Sequence, residues 1–85
     1  MNISKHEQRV LHELALGGSI RHERLANGKI HGVTCYTREG HVLSDCTLAV
    51  FQRLLKRRFI RSRNGGPYRA SPLGIRSVRA QMNQR

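Results

Sequence analysis

The sequence has 85 residues and a formal net charge of +11. A chain of this length suits one small domain that buries only about 60 per cent of its unfolded surface, which excludes long substrate clefts. The charge is uneven, since residues 1–45 hold six Lys/Arg and five Asp/Glu whereas residues 46–85 hold ten Lys/Arg and no acid. Such asymmetry predicts a partner that is a polyanion or an acidic protein surface.

Membrane insertion and secretion are not expected. The chain has no run of 18 or more apolar residues, and residues 1–9 are polar from the start, unlike a signal peptide. We therefore predict a cytoplasmic protein with no membrane partner. In a reducing compartment Cys35 and Cys46 are expected to be two thiols. The sequence does not decide whether they form a disulfide under oxidising conditions.

The first predicted element is a helix from about Ser4 to Leu16. Ser4 and Glu7 form a capping-box pattern, in which the Ser4 hydroxyl accepts from the Glu7 amide and the Glu7 side chain reaches back to the Ser4 amide. Gly17-Gly18 supplies the positive φ that commonly ends a helix. Apolar residues at helical spacing indicate the inner side: Val10, Leu11, Leu14 and Ala15. The polar residues Glu7, His12 and Glu13 mark the predicted solvent side.

A hairpin is predicted next, around Asn27-Gly28, the dipeptide that most readily takes two positive φ angles. Its strands are Ile20–Leu25 and Lys29–Tyr36, with Val33 and Cys35 on one face. The glycine at position 32 and the broken alternation around it favour a bulge or an irregular edge.

A turn at Thr37–Gly40 and an extended link at His41–Leu43 lead into the central helix. Ser44, Asp45 and Thr47 are all able to cap that helix, and the sequence leaves the choice among them open.

The central segment, Thr47–Arg63, combines an amphipathic helix with a strand-like arm. On a helical wheel the apolar stripe consists of Leu48, Val50, Phe51, Leu54, Leu55 and Phe59. The opposite half carries Ala49, Arg53, Lys56 and Arg57, with no acidic neighbour on the same helix to neutralise them. Arg58 falls inside the apolar arc, so either the helix ends near it or its aliphatic stem lies along the core.

A second hairpin and a last helix complete the chain. Phe59–Arg63 and Tyr68–Ala70 flank a glycine turn at residues 64–67, and Ser71-Pro72 is a typical helix start, with serine at the N-cap and proline in the first turn. The inward residues of the last helix are predicted to be Leu73, Ile75, Val78 and Met82, with Arg76 and Arg79 outward.

These elements predict an α+β fold: a single winged-helix-like domain over residues 1–85, with three helices and two β-hairpins. The central helix would take the place of a recognition helix and the second hairpin that of the wing. The first hairpin stands where the standard motif has a helix, which is a departure from that motif. We expect Leu48, Phe51 and Leu55 to pack against Val10, Leu14, Ile75 and Val78, with Phe51 the most buried residue.

The chain also resembles the YjhX family of small bacterial proteins along nearly its whole length. The segments that carry the resemblance are Glu7–Arg9, Leu14–Gly18, Cys35–Gly40, Asp45–Phe51, Asn64–Arg69 and Val78–Gln81. The resemblance implies the toxin of a toxin-antitoxin pair, acting as an inhibitor of DNA topoisomerase I and neutralised by an antitoxin protein. It transfers no catalytic residues.

The candidate binding residues form a basic helix-and-hairpin face: Arg53, Lys56, Arg57, Arg61, Arg63, Tyr68 and Arg69. This face would bind topoisomerase I directly, and charge reversal at Arg53 and Arg57 is expected to leave the fold intact. The alternative is a winged-helix DNA-binding transcriptional regulator in which the same face neutralises phosphates. Tyr68 would then be available to stack on a base, unless it lies in the core.

Neither a metal site, nor a cofactor, nor catalysis is expected. His31, Cys35, His41 and Cys46 have types that bind zinc, but no two of them have the close spacing of a structural zinc site. The acids are scattered singly and no glycine-rich phosphate loop is present, so the sequence predicts a binding protein rather than an enzyme.

Overall fold

The computed structural model describes residues 3–82 of the chain, with side chains through residue 79. In chain order the elements are α1 (Lys5–Ala15), β1 (Ser19–Arg24), β2 (Ile30–Tyr36), β3 (Val42–Leu43), α2 (Leu48–Lys56), β4 (Ile60–Ser62), β5 (Tyr68–Ala70) and α3 (Pro72–Met82). None of the helices in the described part is long and apolar enough to cross a membrane.

Local capping fixes both ends of α1. The Ser4 hydroxyl accepts a hydrogen bond from the Glu7 amide at 3.1 Å and donates one to the Glu7 carboxylate at 3.2 Å. At the other end Gly17 has φ +113°, and the Gly17 and Gly18 amides donate to the carbonyls of Leu14 and Glu13. This Schellman arrangement satisfies carbonyls that the end of a helix would leave unpaired. The predicted helix is therefore confirmed.

The end of α2 repeats this arrangement with an arginine in place of glycine. The Arg58 amide donates to the Leu55 carbonyl and the Phe59 amide to the Leu54 carbonyl, both at 3.0 Å. Arg58 has φ +61°, in the left-handed region that glycine normally occupies at this position. The helix thus ends at Lys56 with Arg57 as its C-cap, so Arg58 lies beyond the helix and not on its apolar stripe. At the start of α2, Thr47 is the cap, since its hydroxyl accepts from the Val50 amide.

The turns of the two hairpins differ in geometry. At Asn27-Gly28 only the glycine has a positive φ, +86°, and the Leu25 amide bonds to the Lys29 carbonyl, which makes a three-residue loop rather than the expected two-residue turn. Asn64 and Gly65 do take two positive φ angles, +56° and +73°, so the type I′ geometry occurs in the second hairpin. The predicted bulge is present, since Glu23 pairs with Gly32 and Arg24 with Ile30.

The five strands form one antiparallel sheet in the order β3-β2-β1-β5-β4. The predicted link at His41–Leu43 contributes β3, which pairs with β2, and the two hairpins join where Ile20 pairs with Tyr68. The α+β class with three helices is confirmed, but the hairpins are parts of a single sheet. The winged-helix comparison stays a prediction.

The helices cover one face of the sheet and share a core with it. Phe51 is 1% exposed and is the largest of the fully buried side chains. It is not the most buried residue, contrary to the prediction, because five smaller side chains are at 0%: Val10, Leu11, Ile20, Cys35 and Leu54. Leu48 and Val78 pack against this core, as expected, and Ile75 is half-buried. The predicted core positions of Leu55 and Leu73 are wrong, because these side chains are 37% and 43% exposed. The expectation for Met82 lies outside the described side chains.

Candidate binding surface

The seven candidate residues do not form one surface. Their side chains lie in four environments: beside a buried carboxylate, in the core, on the second hairpin, and, for Lys56, on the exposed side of α2. The residues concerned are Arg53, Lys56, Arg57, Arg61, Arg63, Tyr68 and Arg69.

Arg53 and Arg57 lie beside Glu7 of α1. Arg53 Nη1 is 3.3 Å from Glu7 Oε1, and Arg57 Nε is 3.6 Å from Glu7 Oε2. Glu7 is only 2% exposed, so the prediction that it marks the solvent side of α1 is wrong. A buried carboxylate needs cationic partners because burial removes its hydration. The two arginines therefore have an acidic neighbour after all, supplied by another helix, and part of their charge is engaged inside the protein.

Tyr68 belongs to the core. It is 8% exposed, and its ring meets the rings of Phe51 and His22 edge to face, with centroids 5.0 and 5.2 Å apart. Such T-shaped pairs are a favoured packing of aromatic rings. The face of the Tyr68 ring is therefore not available to stack on a base, and the predicted role of Tyr68 in base stacking is not retained. Lys56 is exposed on α2.

The second hairpin carries the remaining arginines. Arg61 of β4 pairs directly across from Arg69 of β5, and both are exposed, whereas their neighbours Ile60 and Tyr68 point into the core. Both arginines therefore lie on the face of the sheet away from the helices. Arg61, Arg63 and Arg69 line a shallow depression of about 390 Å³ together with Pro67 and Ala70. We name these three arginines the hairpin patch.

The charge of the hairpin patch is poorly compensated within the chain. Like charges directly opposite each other on neighbouring strands destabilise a sheet. The depression has no acidic residue in its lining, and the contact found for Arg69 is a weak hydrogen bond from Nη1 to the Gly17 carbonyl at 3.4 Å. An anionic partner would relieve the repulsion between Arg61 and Arg69. This arrangement can bind an acidic protein surface or phosphates.

Sequence reasoning missed Arg21 and Tyr36, which lie near the hairpin patch. The Arg21 guanidinium is 5.6 Å from the centre of the Tyr36 ring, a cation–π distance, and Arg21 also borders a depression with Gly65 and Pro67 of the second turn. The pairing of β1 with β5 brings these residues together. Their signal in the sequence is the alternation of polar and apolar residues along β1 and β2, which places them opposite the core.

Cys35 and Cys46 are free, buried thiols, in agreement with the sequence-based prediction. A hydrogen bond from Cys46 to Cys35 lowers the pKa of the Cys35 thiol below its usual value and raises the pKa of Cys46. Burial opposes ionisation of both. In the described part of the chain, no group of three or more His, Cys, Asp or Glu side chains could hold a metal ion.

Comparison with known proteins gives one family. The sequence pattern of the YjhX toxin family, described as "putative toxin of bacterial toxin-antitoxin pair", matches residues 1–85. The chain is 59% identical to a UPF0386 protein of Beijerinckia indica and 60% identical to one of Brucella anthropi, over 100% of each chain. It is 63% identical to a UPF0386 protein of Rhodospirillum rubrum, over 95% of this chain and 90% of the relative. No solved structure matches.

Proposed function

Because this chain belongs to the YjhX toxin family, we propose that it is the toxin of a bacterial toxin-antitoxin pair and inhibits DNA topoisomerase I in the cytoplasm by direct protein binding. The toxin class comes from the family. The topoisomerase target comes from the resemblance described above. The hairpin patch is the surface that we assign to this contact.

The observation that carries the assignment is the direct pairing of Arg61 with Arg69 on the open face of the sheet. Two exposed arginines held opposite each other reduce stability, so their presence is best explained by a partner that supplies negative charge. Arg53 and Arg57 are less suited to this role because the Glu7 carboxylate already lies within 3.6 Å of both. We therefore move the centre of the predicted face from α2 to the second hairpin.

We propose that the protein acts by binding and not by catalysis. Inhibition should then follow the stoichiometry of a toxin–topoisomerase complex and leave nucleic acid intact. Hydrolysis of nucleic acid by the purified protein would contradict this proposal and the topoisomerase target with it.

The test is a DNA relaxation assay with purified topoisomerase I, combined with capture of topoisomerase from a nuclease-treated lysate. The doubly reversed variant Arg61→Glu/Arg69→Glu should lose both inhibition and capture. Arg24→Glu/Arg79→Glu reverses two exposed arginines outside the patch, changes the net charge equally, and is the matched control that should retain both. Equal activity of the two variants would show that the hairpin patch is not the interface.

Salt dependence separates this proposal from the DNA-binding regulator. For binding to duplex DNA, the logarithm of the affinity should fall against the logarithm of the salt concentration with a slope of about −0.9 for each phosphate neutralised. The affinity of a protein interface with an apolar centre should depend less on salt. Tight, steeply salt-dependent binding to bare duplex without capture of topoisomerase would favour the regulator.

A further inference from the structure

A second surface lies between the end of α2, the strand β4 and the start of α3. It is an open groove of about 630 Å³. The residues that line it are Leu55, Arg58, Ile60, Arg61, Ser62, Tyr68, Ser71, Pro72, Leu73 and Arg76. We name it the α2–α3 groove.

The groove has apolar anchoring points at both sides. Leu55 of α2 and Leu73 of α3 are 37% and 43% exposed, although their positions on the two helical stripes predict burial. Two leucines that face one groove can bury their apolar surface against another chain. The two leucines thus define the apolar part of a binding site.

The charge of the groove is of one sign. Arg58 and Arg76 line it, Arg61 borders it from the edge strand β4, and no acid is among its lining residues. The occupant that this lining complements is a segment with carboxylates at its edges and apolar side chains at its centre.

Arg58 carries the strongest indication of binding. Its position at the end of α2 corresponds to that of Gly17 at the end of α1, because the amides of both donate in the same Schellman pattern. Glycine has φ +113° in the first case, whereas arginine is held at φ +61° in the second. An arginine is strained in this conformation and glycine is not, so the guanidinium is retained at a cost to stability. Such strain is expected where the side chain has a function.

The strand β4 offers hydrogen-bonding groups to an extended segment. It is an edge strand of the described sheet, next to β5 alone. The Ser71 amide donates to the Phe59 carbonyl, so in an antiparallel ladder the backbone groups of Ile60 and Ser62 point away from β5. Both residues line the groove. Ile60 is 2% exposed, so the half-buried Ser62 is the position of β4 that can offer backbone groups to an added segment.

We propose that the α2–α3 groove binds a segment of the antitoxin that carries acidic residues and leucines and that contacts β4 at Ser62. This inference rests on the proposed function, because the family supplies the antitoxin. Arg61 lines both the groove and the hairpin patch. An antitoxin segment in the groove therefore covers part of the surface that we assign to the target, which explains neutralisation by direct occlusion.

The probe for this proposal is a dye-labelled peptide of alternating Glu and Leu, tested against the full-length protein by fluorescence anisotropy. Peptides of alternating Lys and Leu, and of alternating Glu and Ser, are the controls for charge and for apolar anchoring. Saturable binding of the first peptide alone is the expected result. Equal binding of all three peptides would overturn the proposal.

Three variants locate the site, and two have matched controls. Leu73→Ser and Arg76→Glu should each lower the affinity for the Glu-Leu peptide by about tenfold or more. The controls are Leu25→Ser and Arg79→Glu, which should leave the affinity for this peptide unchanged. Leu25 is 50% exposed on the first hairpin, and Arg79 is exposed on α3. Arg58→Gly should lower the affinity for the peptide, whereas the melting temperature of the protein should stay equal or rise because glycine relieves the backbone strain. Equal affinity in the groove variants and their controls would overturn the proposal.

A further readout tests the antitoxin itself. In cells that express the toxin together with an antitoxin that restores growth, Leu73→Ser should remain toxic and should no longer be neutralised. Retained neutralisation would contradict the groove as the antitoxin site. Concentration-dependent dimerisation of the toxin that Leu73→Ser abolishes would assign the groove to a second copy of this chain and overturn the proposal.

These outcomes are independent of the topoisomerase assay. Loss of peptide binding in the groove variants with no effect of Arg61→Glu/Arg69→Glu on topoisomerase would support the groove and refute the hairpin patch. The reverse pattern would refute the groove alone.

Discussion

Glu7 near the start of α1 and Arg53 in α2 form an ion pair across 46 positions of the chain, with Glu7 Oε1 3.3 Å from Arg53 Nη1. The same carboxylate accepts from the Ser4 hydroxyl that caps α1. One side chain thus completes a local capping motif and joins two helices. Because Glu7 is 2% exposed, it cannot turn to water when a partner is removed.

The first prediction concerns this pair. Arg53→Glu should lower the free energy of unfolding by about 1–3 kcal/mol, because it replaces the cation beside a buried carboxylate with a second anion. This is less than the full cost of breaking a buried pair, since Arg53 is 56% exposed and Arg57 remains. It also revises the expectation that charge reversal here leaves the fold intact.

Chemical denaturation measures the effect. Lys56→Glu, an exposed lysine on the same helix, is the control and should change stability by less than about 0.5 kcal/mol. Adding Glu7→Gln to Arg53→Glu should recover part of the loss, because the two anions no longer face each other. Equal effects of Arg53→Glu and Lys56→Glu would refute the ion pair.

The second prediction compares two apolar residues of α2. Phe51→Ala should cost about 3–5 kcal/mol, a large part of the roughly 5–15 kcal/mol that stabilises a domain. It should also lower the melting temperature by at least about 12 °C. Leu55→Ala should cost less than about 1 kcal/mol because Leu55 is 37% exposed. If Leu55→Ala proves as damaging as Phe51→Ala, Leu55 belongs to the core and the groove is closed.

The third prediction tests the contact between α3 and the start of β4. A Cβ on Gly74 would collide with the Phe59 carbonyl oxygen and lie 3.2 Å from Leu11 Cδ1. Gly74→Ala should therefore destabilise the protein by about 1–3 kcal/mol, although alanine favours a helix. Gly32→Ala is the control, because a Cβ there meets nothing within 4 Å and no positive φ is required. Thermal melts of the two variants that coincide would disprove this close approach.

The fourth prediction concerns the thiols. Cys46→Ala removes the hydrogen bond that lowers the pKa of Cys35, so the pKa of Cys35 should rise and burial should then dominate. Titration of thiolate absorbance in the folded variant measures the change. Cys35→Ala should lower the pKa of Cys46, because the hydrogen bond to Cys35 raises it. Unchanged titration in both variants would mean that the two sulfurs are not in contact.

The sequence determined the features that depend on neighbours a few positions apart. The Ser4 cap, the glycine stop at Gly17 and the Ser71-Pro72 helix start were all predictable, because each rests on hydrogen bonds or φ angles within about five residues. The acid-free second half likewise predicted a basic protein that binds an anionic or acidic partner.

The tertiary structure alone decided where that charge is available. Pairing of Ile20 with Tyr68 merges the hairpins into one sheet and buries the tyrosine, and packing of α1 on α2 places Glu7 beside Arg53. A helical wheel shows only the charges of its own helix, so it presented Arg53 and Arg57 as uncompensated. The surfaces that we propose for binding lie instead on the second hairpin and in the α2–α3 groove, because contacts between distant segments determine which cations already have a carboxylate beside them.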